Sequence, residues 1–277
     1  MLCSASVKRR PPPQQHPQRQ QQRDPRSPSR AVSGEQSEIV YGLRACLAVL
    51  ETRPGDILRV AASGSLRREL APLSAWASRS HVSYTEMDDR ALARAAESEH
   101  HEGVCIATRP RAWATHSAIT DLLVGSKGFA LALDRVRNPY NTGAILRTAG
   151  FFGVPAVVLG AQAPHPALAP QAVRVAEGGA EHVRLCRTTD LGDTLSRMRA
   201  RGVRVLGADG GVREDARKTN LTGPLVIVMG NEREGLMPRV REQCDGFVSL
   251  VGTGKVESLN VSIAASLLIQ LAQSANR

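Results

Sequence analysis

Residues 252–273, GTGKVESLNVSIAASLLIQLAQ, pass from a loop built on Gly252 and Gly254 through Glu257, Ser258, Leu259 and Asn260 into an apolar run from Val261 to Leu271. Small and polar residues give way abruptly to helix-forming apolar ones, which predicts a loop feeding a core helix. Ser258 or Asn260 suits the helix N-cap, where a side-chain oxygen takes up a first-turn amide. Two further stretches carry the same punctuation, NPYNTGAILRTAGFFGV at 138–154 and LVIVMGNEREGL at 225–236. Each joins a short apolar strand to a helix through Gly, Asn or Glu. In an open α/β sheet such loops gather beyond the carboxyl ends of the strands, where ligands bind. Three polar loops on one rim imply one site.

The rest of the chain alternates strand and helix patterns, which predicts a mostly parallel sheet with helices on both faces. Residues 1–37 are Pro, Gln, Arg and Ser with few apolar side chains, so they are expected to form a disordered basic tail. Its surplus of arginine makes it either a solvated extension or an electrostatic arm for nucleic acid. Residues 38–108 predict a small α/β domain, beginning with a strand and a helix that sets Val40, Leu43, Leu47 and Leu50 at helical spacing. A helix is expected over Leu66–Ser78. His100 and His101 read as a turn before a strand rather than as metal ligands. Residues 109–127 are mixed and polar and are expected to be a linker. Residues 128–277 form the second domain, starting with the strand FALALDRV and a helix from Asn141 to Phe152.

Composition narrows the partners. The net charge is +10 while aromatics are only 3% of 277 residues, so phosphate contacts rather than base stacking are the expected grip on a nucleic acid. The five cysteines, Cys3, Cys46, Cys105, Cys186 and Cys244, form no CxxC pair and no cluster with histidine, so they read as free thiols in a reducing compartment. No run approaches the ~18 apolar residues of a membrane helix, and the start lacks the apolar core of a secretory signal. An Arg-rich, acid-poor start fits an organelle transit peptide, although its Pro and Gln content opposes an amphipathic helix. The expected location is cytoplasmic, with no membrane and no metal. The turn after the first strand of the second domain carries no GxGxxG and the chain no P-loop, which argues against a dinucleotide or nucleotide triphosphate.

The three polar stretches, in this order and spacing, resemble the signature motifs of the SpoU (TrmH-like) family of RNA ribose 2′-O-methyltransferases, part of the knotted SPOUT class. The resemblance is strong over 128–277. Residues 39–108, through YG before a helix and HHEGVCIAT at 100–108, more weakly resemble the L30e-like substrate-binding domain of that family. What the resemblance implies is an α/β trefoil-knotted catalytic domain, S-adenosylmethionine as cofactor, structured ribosomal or transfer RNA as partner, and a homodimer through the knot helices, with Ala264–Leu271 the candidate interface. It implies a cofactor loop formed by Gly230, Leu250 and Leu259. The family's apolar-Pro-Met pattern is replaced here by Leu250, Val251 and Gly252, which implies a looser loop.

It also implies a catalytic group of Asn141, Arg147, Glu232, Ser258 and Asn260. Methyl transfer to a ribose hydroxyl needs an aligned donor, an oriented 2′-OH and a destination for its proton. Arg147 corresponds to the family's catalytic arginine. A guanidinium surrenders its proton only far above neutral pH, so holding a phosphate or polarising the hydroxyl is easier for it than acting as base. Asn141 is expected to cap its helix, Glu232 to pair with Arg147 or order Asn141, and Ser258 and Asn260 to hold the arginine and the cofactor loop. EGGAEH at 177–182 reads as a tight turn, with His182 assigned no chemistry. The alternatives are a knotted RNA-binding factor without useful catalysis, and base methylation by a SPOUT relative.

Overall fold

The computed structural model describes residues 37–160 and 168–276; the expected basic tail and most of the Pro-rich loop at 164–170 lie outside them. The first domain runs β1 (Glu38–Tyr41), α1 (Leu43–Thr52), β2 (Ile57–Ala62), α2 (Ala71–Arg79), β3 (Ser83–Glu86), α3 (Asp89–Ala96) and β4 (Val104–Thr108). Its sheet has the order β1-β4-β2-β3, with β4 antiparallel to both neighbours and only β2 and β3 parallel. Helix α2 starts later than expected, because Pro72 occupies the first turn, where its missing amide costs nothing. In α1 the side chains turned to the sheet are Ala45, Cys46 and Val49, while Leu43 and Leu50 pack only partly. The turn before β4 is closed by the Gly103 amide donating to His101 Nδ1 at 3.0 Å, a structural use of that histidine.

The second domain runs α4 (His116–Ser126), β5 (Phe129–Asp134), α5 (Pro139–Phe152), β6 (Ala156–Gly160), α6 (Pro170–Val175), β7 (Arg184–Thr188), α7 (Leu191–Arg199), β8 (Arg204–Ala208), β9 (Leu225–Met229), α8 (Pro238–Arg241), β10 (Gly246–Val248) and α9 (Val261–Ala275). The strands form one parallel sheet in the order β10-β8-β9-β5-β6-β7. Side chains alternate across it: Phe129, Leu131 and Leu133 of β5 pack with α5 and α9, and Ala130 and Ala132 pack with α4, α7 and α8. Helix α4 lies inside the stretch expected to be linker, which leaves only 109–115 as connector. Thr115 caps it by accepting the Ala118 amide, and Ile119 and Leu123, one turn apart, are fully buried in the sheet's second face. No described helix is long and apolar enough to cross a membrane.

The first domain is seated on the second along α6 and the turn that follows it. Val173 of α6 belongs to the first domain's core. Arg174 donates to Glu102 at 2.9 Å, and Glu102 also accepts the Leu43 amide at the start of α1. Deeper in, the Glu181 carboxylate accepts Arg53 Nε and Arg111 Nη2, each at 2.9 Å, with all three side chains largely buried. Burial alone would push the Glu181 carboxyl up, but hydrogen bonds and charge from Arg53 and Arg111 outweigh it and hold the carboxyl below its ordinary value. Because the folded value is depressed, the stabilisation is complete above the ordinary carboxylate pKa of about 4.3 and is lost as pH falls through the lower folded value. Glu181→Ala is expected to cost about 3–5 kcal/mol, since it strands two buried guanidinium groups. Urea unfolding at neutral pH checks the magnitude, and in acid the gap between variant and parent should close.

Candidate active site

Strands β5 and β9 lie side by side, so the loops leaving their carboxyl ends face each other. Asp134 ends β5 as a buried carboxylate and accepts the Met237 amide at 2.6 Å, which ties the start of α8 to the sheet. Its neighbour Arg135, with φ 55°, bonds the Glu234 carboxylate and donates to the Gly235 carbonyl at 3.1 Å. Asn231 returns the contact by donating to the Arg135 carbonyl, while its own side-chain oxygen accepts the Arg233 and Glu234 amides. Asn231 and Gly235 also exchange both backbone hydrogen bonds. Residues 231–235 are thereby a closed loop. Gly230 permits that closure: a Cβ there would stand 2.6 Å from the Gly235 carbonyl carbon. The absence of a side chain at Gly230 thus serves the loop's own backbone.

Glu232 sits at the tip of that loop and is bonded by Asn141 Nδ2. The Asn141 side-chain oxygen in turn accepts Asn260 Nδ2 at 3.1 Å. Asn260 is the N-cap of α9: its oxygen accepts the Ser262 amide at 2.8 Å and the Ser262 hydroxyl at 2.6 Å. One chain of side-chain hydrogen bonds therefore links the three polar stretches. Asn141 does not cap α5. That helix begins two residues earlier, with Asn138 accepting the Tyr140 amide and Pro139 in the first turn, and the capping role leaves Asn141 free to bridge.

A cleft of about 1190 Å³ opens against this loop, lined by Gly230, Glu232, Leu250, Ser258 and Leu259 among others. Residues 251–260 are exposed along its rim, including the apolar Val251, Val256 and Leu259. Asn141 and Asn260 reach the cleft through Glu232. Arg147 is elsewhere. It pairs with Glu177 at 2.9 Å, more than half exposed, and makes no hydrogen bond to Glu232, Ser258 or Asn260. The reason is helical phase: six residues along α5 turn a side chain by about 120° from Asn141. Thr148, nearly in phase with Asn141, bonds Ser266 of α9 at 3.0 Å, whereas Arg147 shares its exposed face with Tyr140 and Phe151.

Residues 128–270 match the SpoU rRNA Methylase family, and residues 39–114 match the family described as RNA 2′-O ribose methyltransferase substrate binding. The 23S rRNA (guanosine-2′-O-)-methyltransferase RlmB of Vibrio cholerae is 34% identical over 84% of this chain and 95% of its own length. The RlmB of Pasteurella multocida is 35% identical over 84% of the chain and 96% of its own. The chain belongs to the SpoU rRNA methylase family. The fold agrees: the SpoU methyltransferase AviRb of Streptomyces viridochromogenes, solved in complex with AdoMet, superposes with a TM-score of 0.71 at 22% identity, covering 86% of this chain and 90% of that one. An AdoMet-bound rRNA methyltransferase of Sinorhizobium meliloti also gives 0.71 at 22% identity, covering 86% and 87%.

The family's cofactor, S-adenosylmethionine, fits what this chain offers. Three exposed apolar side chains on one rim give an adenine something to pack on, and the looped backbones at 230–236 and 250–260 offer peptide groups for polar contact. The brace of Asp134, Arg135 and Asn231 was not legible in the sequence, apart from the polar density of DRVRN and GNEREG. Asn260 links cap and network, and two substitutions separate those roles. Asn260→Ala should lower stability by about 1 kcal/mol through loss of the cap, a shift of roughly 2–4 °C in Tm. Asn260→Ser keeps a capping oxygen and should regain most of that shift, yet it cannot reach Asn141. Calorimetric melts with parallel methyl-transfer assays read the two effects.

Proposed function

We propose that this protein transfers the methyl group of S-adenosylmethionine to a ribose 2′-OH of a guanosine in 23S ribosomal RNA. Membership of the SpoU family supports the reaction, and the RlmB relatives, which match over nearly their whole length, support the substrate. The single observation that carries it is the Glu232–Asn141–Asn260 chain at the edge of the cleft. Bound S-adenosylmethionine would supply an electrophilic methyl group; as the C–O bond forms the C–S bond would break, its electron pair staying on sulfur as a neutral thioether and the hydroxyl proton passing to water. Gly230, Leu250 and Leu259 are assigned to holding the cofactor, and Asn141, Glu232, Ser258 and Asn260 to fixing the loops around it. Arg147 is assigned to the target, binding a phosphate or polarising the hydroxyl. The reaction is assigned to the cytoplasm, a reading that the bacterial rRNA methyltransferase relatives support.

The dimer belongs to the same proposal. Tyr140 and Phe151 of α5 and Ile263 and Leu267 of α9 are exposed apolar side chains on two packed helices, Phe151 at 84%. Arg147 lies between the first two on the same helical face. Two copies paired across this surface would bury it and carry Arg147 toward the neighbouring cleft, whereas its own Asn141 faces the other way. The threading of a trefoil knot is part of the reading as well. Strand β9 returns to a gap between β5 and β8 after the chain has visited both sides of the sheet. The basic segment at 1–37, which carries half of the net charge of +10, is assigned to raising RNA affinity without specificity, as cations near a polyphosphate do.

Mapping of 2′-O-methylation on 23S rRNA, with and without the protein, tests the reaction. Arg147→Ala should lower turnover by at least about a hundredfold, the scale of losing a group that acts in the transition state, while calorimetry shows cofactor affinity unchanged. If Arg147 serves a partner's cleft, mixing Arg147→Ala subunits with Asn141→Ala subunits should restore roughly a quarter of wild-type activity, because one site in each mixed dimer is intact. No recovery would assign Arg147 to its own subunit.

A further inference from the structure

The turn after α6 carries two carboxylates with different partners. At one end, Glu181 is buried and gathers Arg53 of the first domain and Arg111 of the connector. Arg111 Nη1 also donates to the Ala180 carbonyl at 3.2 Å, and Arg53 Nη1 to the Arg109 carbonyl at 3.3 Å. At the other end, Glu177 holds Arg147 at 2.9 Å from a left-handed backbone, φ 44°, a conformation unfavourable for a residue with a Cβ. Between them the chain has no slack. The Glu177, Gly179 and Glu181 amides bond the carbonyls of Arg174, Ala176 and Gly178. A Cβ on Gly178 would stand 2.9 Å from Ala48 Cβ of α1, and one on Gly179 would stand 2.8 Å from Arg147 Cα. The turn is thus wedged between the first domain and the backbone that carries Arg147.

We propose that this turn couples the seating of the substrate-binding domain to the placement of Arg147, with Glu177 and Glu181 as positioning residues. The inference rests on the assignment of Arg147 to the transfer. An exposed ion pair such as Arg147–Glu177 contributes little to stability; its consequence is directional, fixing which way a long flexible side chain points. Glu181 sets where the turn stands, because its carboxylate is the point at which the first domain, the connector and the turn meet. RNA held by the first domain is then presented at a fixed offset from Arg147, and a shift in that domain is transmitted through five residues to the guanidinium. The chemical partner of the device is the RNA that spans both domains.

The test uses the full chain, an unmodified 23S rRNA transcript and S-adenosylmethionine. Glu177→Gln and Glu181→Gln should each lower kcat on the order of tenfold, as a displaced positioning contact does, with KM for RNA and cofactor affinity within about twofold. The double variant should fall no further than the worse single, because both act along one path. Full turnover in Glu177→Gln, a multiplicative double variant, or a Glu181→Gln defect confined to KM would overturn the coupling. Should Glu181→Gln fail to bind cofactor through misfolding, Arg53→Lys keeps the charge and loses the planar fork. Its kcat loss must then vanish in the Glu177→Gln background, and persistence overturns the proposal. Wild-type turnover by Arg147→Ala would overturn it together with the assignment beneath it. That outcome is told apart because it leaves the turn untouched.

Discussion

The site depends on one amide. Asn141, buried in the first turn of α5, gives its nitrogen to Glu232 and takes the nitrogen of Asn260. A side-chain amide carries its donor and its acceptor on separate atoms, so it can donate to a carboxylate while accepting from another amide. The bond to Glu232 is charge-assisted, so it is stronger than a neutral one. Its partners lie 91 and 119 residues away in sequence, and each sits at the root or tip of a loop that would otherwise be free to move. Asn141 can do this only because it has no capping duty. Asn138 and Pro139 satisfy the helix start, and the sheet places the ends of β5 and β9 beside each other.

A second constraint lies in the brace under that network. The buried Asp134 carboxylate would be costly without partners, and it has one in the Met237 amide and another in Arg135. Arg135 then grips the 231–235 loop from outside while Asn231 grips it from within. Glu232 projects from a loop whose backbone is already closed, so the few hydrogen bonds at its tip need only orient a side chain. The cleft's other wall, 251–260, has no comparable brace and is exposed throughout. One rigid wall and one open wall suit a site that must admit a cofactor and a macromolecule. The replacement of the usual Pro-Met by Val251 and Gly252 acts on the open wall.

How much of this was legible followed from whether the governing contacts were local. The parallel sheet was, because FALALD and LVIVM are apolar runs bounded by turn residues. The cap of α9 was legible to within two residues, Ser258 or Asn260 before an apolar helix, and the structure gives it to Asn260. Asn141, Glu232 and Asn260 were singled out from motifs, and they do meet. Helix α4 was not legible: His116, Ser117, Thr120 and Asp121 mask a stripe of only Ile119 and Leu123, and polar composition read as linker. The start of α5 was missed by two residues, because three asparagine or proline positions competed for the cap. The ion pairs of Glu181 with Arg53 and of Arg135 with Glu234 join residues 128 and 99 apart. No period or spacing encodes such contacts, since both ends are set by tertiary packing.

Arg147 is the instructive case, because helical phase separates it from Glu232, Ser258 and Asn260, with which it had been grouped. A helix fixes the direction of every side chain once any one is known. With Asn141 turned toward α9 and Thr148 confirming that face through Ser266, Arg147 must point about 120° away. It therefore emerges beside Tyr140 and Phe151, both exposed. The arginine is thus oriented toward whatever covers that face, and Glu177 is the contact that holds it there. The separation of Arg147 from Glu232 within one chain is a property of α5 itself, fixed from the moment Asn138 and Pro139 set where that helix begins.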